Sequence, residues 1–215
     1  MTVRVIKARK SYKKFVFTII VAILVLLVFL SLLIILQPGR EKYNEYLTQV
    51  SFFESYLKEY YQFEEEVIRD FTDAFMMLYE EYTYITELVL PIELLAIGIV
   101  ETNFKNVKGD KGESLGYFQI QAPTYWYMKN KYPEIYEKLN FTHAWYWDNV
   151  KVRPDVQLIT ATLYLYDLKI RYGETEAYSL YNGISKAYQD KVNYTKSWLK
   201  VKFEEYKEAQ KELSK

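Results

Sequence analysis

Residues 92–104, "IELLAIGIVETNF", are almost wholly apolar until a carboxylate appears at Glu101. An acid in such surroundings loses hydration, which costs several kcal/mol unless its proton affinity rises or a partner is supplied. Two readings follow. Glu101 marks the point where a buried helix reaches water, or it is held in a half-apolar cleft as an acid that keeps its proton near neutral pH. Other chemistries are narrowed by composition. The 215-residue chain has no cysteine, which excludes disulfides, thiolate metal sites and a cysteine nucleophile. Its single histidine, His143, argues against a multi-histidine metal centre or a Ser-His-Asp triad and reads as an incidental or packing residue.

The elements that must hold Glu101 are legible in outline. Residues 91–103 predict a helix that is apolar around most of its circumference and therefore central, with Pro91 in its first turn. "KNVKGDKGESLG" after it gathers three of the seven glycines and reads as a loop or small hairpin. "YFQIQ" reads as a short strand or the entry to a helix. Residues 155–172 alternate at helical spacing with Gly173 placed to cap them, and 175–181 and 186–210 also read as helices. Upstream, from Tyr43 to Tyr82, apolar residues recur every three or four positions. This stripe predicts one long stalk, a self-associating coiled-coil surface, or two helices broken near Glu64-Glu65-Glu66 and packed on their own domain. No internal repeat is visible. The expected fold class is mainly α, with at most a small hairpin.

Residues 15–36, "FVFTIIVAILVLLVFLSLLIIL", carry no charge. As a helix they would reach about 33 Å, enough for a hydrocarbon core of roughly 30 Å, with Pro38 and Gly39 expected to end the span. The run is too long for a cleavable signal peptide and lacks an Ala-x-Ala-like site. Residues 1–36 hold six of the 28 basic side chains and none of the acidic ones, so a basic tail over 1–14 would stay in the cytoplasm and the rest would face outward. The remainder is net acidic, which argues against nucleic acid as a partner.

Residues 91–124, "PIELLAIGIVETNFKNVKGDKGESLGYFQIQAPT", resemble the signature of the lytic transglycosylases of the lysozyme superfamily. That family shows a proline-led apolar helix ending in Glu-Ser, an aromatic, a glycine-bearing loop, Gly-Leu-Met-Gln-Ile or Gly-Leu-Trp-Gln-Phe, and a Pro-x-Thr. The corresponding pieces are Glu101-Thr102, Phe104, Gly116 to Ile120, and Pro123-Thr124, with "LYNGI" (180–184) similar to the family's Ala-Tyr-Asn-Ala-Gly. The resemblance covers about 85–200. Thr102 replaces serine, Leu180 replaces alanine, Glu113-Ser114 stand where the family tends to have Gly-Ala, and "QAPT" is one residue longer.

The resemblance implies a lysozyme-like domain over 85–215, behind a stalk or accessory helices over 40–84 and the span over 15–36. Together with the charge-free run over 15–36 and the basic tail before it, this gives the expectation of a single-pass protein of a bacterial cytoplasmic membrane, with the catalytic domain on the periplasmic or extracellular side. The implied activity is cleavage of peptidoglycan between N-acetylmuramic acid and N-acetylglucosamine, leaving 1,6-anhydro ends. Glu101 would be the acid and base, and Tyr181 would hydrogen-bond or orient it. Gln119 and Asn182 would bind sugar or its N-acetyl group, Thr102 would line the cleft, and Gly116 would allow close backbone approach. No metal or cofactor is implied. The expected partners are glycan strands, the membrane, and self-association or a secretion or phage machine. A hydrolysing lysozyme is the nearest alternative and wants a second carboxylate, for which Asp110 and Glu113 are candidates, unless they are solvated loop charges. A wall-binding scaffold without turnover is the other. Trp126, Trp145 and Trp147 either line sugar subsites or close a small core.

Overall fold

The structure, a computed structural model, describes residues 2–213, with side chains described from 17 onward except at 20 and 30–39. The chain forms two units, residues 1–45 and 46–215. Helix α1 is assigned from Thr2 to Tyr61 and so begins in the first unit and ends in the second. Its backbone passes through Pro38 and Gly39, where the sequence predicted an end. A proline removes one backbone hydrogen bond and can kink a helix without ending it when the turns on both sides are helical. In the first unit the described side chains over 17–29 are exposed, among them Phe17, Leu24, Val25 and Phe29. Among the described residues no helix is long and apolar enough to cross a membrane. The expected span over 15–36 falls partly outside them, as do the side chains of the basic tail over 1–14.

The second unit is mainly helical. After α1 come α2 (Glu65–Glu81), α3 (Thr83–Thr86) and α4 (Pro91–Thr102). Two-residue strands β1 (Lys108–Gly109), β2 (Ser114–Leu115) and β3 (Ile120–Gln121) follow, then α5 (Ala122–Lys131), α6 (Pro133–Lys138), α7 (Trp147–Val150), α8 (Pro154–Tyr181) and α9 (Lys186–Leu213). The strands form one antiparallel sheet in order β1-β2-β3, with Lys108 opposite Leu115 and Ser114 opposite Gln121. A 3₁₀ turn over Asp110–Gly112 closes the first hairpin. Proline opens α4, α5, α6 and α8, where its missing N–H would have no intrahelical acceptor.

Helix α4 is buried from Pro91 through Gly98 and packs against α8 and α9, while α2 packs on α8. Its apolar surround follows from its sequence, since a helix without a polar stripe is stable only inside. The break in the upstream stripe falls at Gln62, which adopts φ 52°, between α1 and α2. Phe53, Phe71, Phe75 and Phe104 from the two sides of that break meet edge to face and join the core that surrounds α4. Each such ring contributes about 1.5–3 kcal/mol by leaving water. Residues 46–81 are thus part of the compact unit that carries α4.

Candidate functional site

Glu101 sits in the last turn of α4. Directly after it the chain reverses through two left-handed residues, Asn103 (φ 55°) and Phe104 (φ 53°). The reversal lays the Phe104 ring against Gly98, where a Cβ would come within 2.5 Å of its Cζ. Two side-chain bonds fix this end of the helix. Tyr61 donates to Asn103 Oδ1 at 2.7 Å, and Thr102 Oγ1 donates to the Tyr117 carbonyl at 2.9 Å.

The sheet forms the opposite wall. Gly116 has φ +83°, and a Cβ there would collide with Gln157 Oε1. That oxygen accepts from Tyr117 N–H at 2.8 Å, while Gln157 Nε2 donates to Val150 O at 2.8 Å, so one buried amide ties sheet to α8. Gln119, also left-handed (φ 50°), donates through Nε2 to Gly116 O at 2.8 Å and Val107 O at 3.2 Å. The third wall is the end of α8 and the turn after it. Tyr181 is buried and donates to Phe118 O at 3.2 Å; Asn182 follows on the exposed turn.

Between these walls lies a cleft of about 500 Å³ lined by Glu101, Asp110, Gln119, Thr124, Tyr181 and Asn182, among others. Burial pushes the Glu101 carboxyl up from 4.5 to about 7. The Tyr188 hydroxyl and the Asn182 amide favour the anion and work against that rise, while the negative charge of Asp110 adds to it. The Tyr188 hydroxyl is buried without a partner at ordinary hydrogen-bond geometry, and desolvation is the largest influence on the acid. A group poised near 7 holds both a donor and an acceptor form at neutral pH.

The cleft therefore brings together Glu101, Gln119, Tyr181 and Asn182. Thr102 and Gly116 stand behind its walls, the first committed to Tyr117 O and the second making room for Gln157. The hydroxyl bond expected from Tyr181 to Glu101 goes to Phe118 O instead, because α8 ends with Tyr181 facing the sheet. Tyr188, on the first turns of α9, is the tyrosine at the acid. Nothing in the sequence singled it out among 23 tyrosines, since only the Gly183 turn (φ 65°) folds it back. Asp110 reaches the cleft, held by Ser114 Oγ at 2.6 Å, whereas Glu113 is exposed and does not line it.

None of the three tryptophans lines this cleft. Trp145 is buried, stacked on Tyr125 and bonded to Ile120 O at 2.9 Å; Trp126 is exposed; Trp147 lies under Lys108. His143 is exposed. A slightly larger groove, about 560 Å³, lies along α2, where Thr72 pairs with Glu54 and Lys58 with Glu65. It holds no shielded acid comparable to Glu101. Comparison with protein-family models, with curated proteins and with solved structures gives no match to this chain.

Proposed function

We propose that the chain is a membrane-anchored peptidoglycan lytic transglycosylase with a lysozyme-like helical domain. The observation that carries this reading is Glu101, a carboxyl raised to about 7 in a cleft it shares with Gln119, Tyr181 and Asn182. Protonated Glu101 gives its proton to the bridging oxygen as the bond from muramyl C1 breaks. The carboxylate then takes the proton of the muramyl 6-hydroxyl as that oxygen bonds to C1, closing the 1,6-anhydro ring. The substrate's own N-acetyl group would stabilise the cationic centre, and Gln119 and Asn182, which line the cleft, would bind the sugar. The Asn182 amide favours the carboxylate left after the first transfer. The exposed apolar side chains between Phe17 and Phe29 support an anchor in the first unit.

Mass spectrometry of wall fragments released by the full chain tests the reading, with Glu101→Gln as control. Anhydro ends absent from the control support it. Equal, near-zero release by both proteins would favour a scaffold. One observation favours a second outcome on the same fold: Asp110 shares the cleft with Glu101 and could serve hydrolysis as the second carboxylate. Reducing ends in place of anhydro ends would select it.

A further inference from the structure

From the cleft, two helix faces lead away side by side. On α5 they pass from Thr124 to Tyr127 and Lys131, and on α8 from Tyr164 to Asp167 and Arg171. Both sets are spaced i, i+3, i+7, which keeps each on one face. Thr124 and Tyr164 line the cleft, and α5 packs on α8. The faces converge on Asp167, which is fully buried and paired with both Lys131 and Arg171. One anion thus faces two cations. The cations are the accessible partners, their side chains 41% and 42% exposed against 0% for Asp167.

Aromatic rings surround them. Tyr127 lies within 5.8 Å of the Arg171 guanidinium and 5.9 Å of Lys131 Nζ, and Tyr172 lies within 5.1 Å of Arg171. Both tyrosines are themselves nearly half exposed. A guanidinium laid between ring faces has little freedom to lose when it binds, and its planar fork suits a carboxylate. The Tyr164 hydroxyl, at the cleft, is raised mainly by burial and feels the opposing charges of Arg171 and Asp167.

We propose that the floor between α5 and α8 extends the cleft into a subsite for the carboxylate of the peptide stem carried by muramyl sugars, with Arg171 and Lys131 as its recognition groups. This rests on the reading of the cleft as a peptidoglycan site. The stem is attached to the sugar next to the scissile bond, so its acids must lie within a few residues' reach of Glu101. Asp167 has the positioning role: it holds the two cations together but cannot itself meet a ligand.

Calorimetry on the full chain carrying Glu101→Gln separates binding from turnover. The probes are the wall disaccharide with its peptide stem and the same disaccharide without it. The stem-bearing probe should bind about tenfold more tightly, and Arg171→Gln or Lys131→Met should each shrink that preference to about twofold. Binding of the stem-free probe should not move. The pair Asp167→Asn with Arg171→Gln leaves no uncompensated buried charge and should behave alike, which guards against a folding defect in the single variant. Equal affinity of the parent for the two probes, equal weakening of both in the variants, or binding of neither overturns the inference. Loss of the catalytic reading would look different: uncut glycan with native Glu101 but an intact preference for the stem.

Discussion

At the scale of the residue, the acid that gives the cleft its chemistry also weakens the fold. Glu101 titrates near 4.5 in an unfolded chain and about 7 in place, so folding favours its protonated form. Below about pH 4.5 both states are protonated and there is no penalty. As pH rises toward 7 the unfolded chain gains from ionising while the folded one does not, a difference of about 3 kcal/mol once both are ionised. Glu101→Gln should therefore raise the melting temperature at pH 7.5 and leave it nearly unchanged at pH 4, while lowering glycan cleavage by about 10²–10⁴-fold. Calorimetric melting at the two pH values, beside a cleavage assay, reads both effects. On the proposed mechanism the neutral acid is the donor, so the rate should fall as pH climbs through about 7. Tyr188→Phe removes a hydroxyl that favours the anion, which moves this alkaline limb upward. Asp110→Asn removes a negative charge and moves it downward. A rate profile in which neither limb moves would sever both residues from the acid.

At the scale of the element, the cleft depends on the short sheet being held to α8 by the buried Gln157 amide, beside the bond from Tyr181 to Phe118 O. Gln157 meets Tyr117 N–H and Val150 O, and Gly116 is the residue that lets it in. Gln157→Leu leaves Tyr117 N–H buried without a partner and takes one of two donors from Val150 O, which keeps Arg153 N–H at 3.1 Å, and should lower stability by about 1–3 kcal/mol in urea unfolding. Gly116→Ala should do comparable damage, because its φ of +83° and the Gln157 side chain both oppose a Cβ. These ties explain what could be read from the sequence. Pro91, Gly173 and the apolar surround of α4 mark local boundaries, and local propensity settles them: α4 begins at Pro91, and α8 turns non-helical at Gly173. The burial of Glu101 was legible for the same reason, since the run before it has no polar face. Gln157, Tyr188 and the true partner of Tyr181 were not. Each acts across at least 40 residues of chain, where spacing carries no signal, and each is one of several like residues in a helical stripe.

At the scale of the whole molecule, the other end of α4 anchors the charge structure of the domain. Glu93, two turns before Glu101, is almost fully buried and accepts from Leu90 N–H at 3.0 Å, closing the first turn of its own helix. Its carboxylate also meets Lys169 Nζ of α8 at 2.8 Å, Lys196 of α9 at 3.5 Å and the Tyr178 hydroxyl. Helices α4, α8 and α9 thus share one anion. Lys169 has a side-chain exposure of 6%, so when that anion is lost its ammonium keeps little water, with the Leu88 carbonyl at 2.7 Å, the Tyr178 ring and the charge of Glu174 beside it. Glu93→Leu should therefore cost about 3–5 kcal/mol, chiefly through the stranded ammonium. Lys169→Met should cost a similar amount through the stranded carboxylate. The double variant, which leaves neither charge alone, should recover most of the loss, a coupling that a double-mutant cycle in chemical denaturation measures directly. Because the network ends two turns short of Glu101, the double variant should keep the alkaline limb of its rate profile where the unsubstituted chain has it. A shifted limb would mean that the network tunes the acid as well as holding its helix, whereas additive losses would show that each charge acts alone.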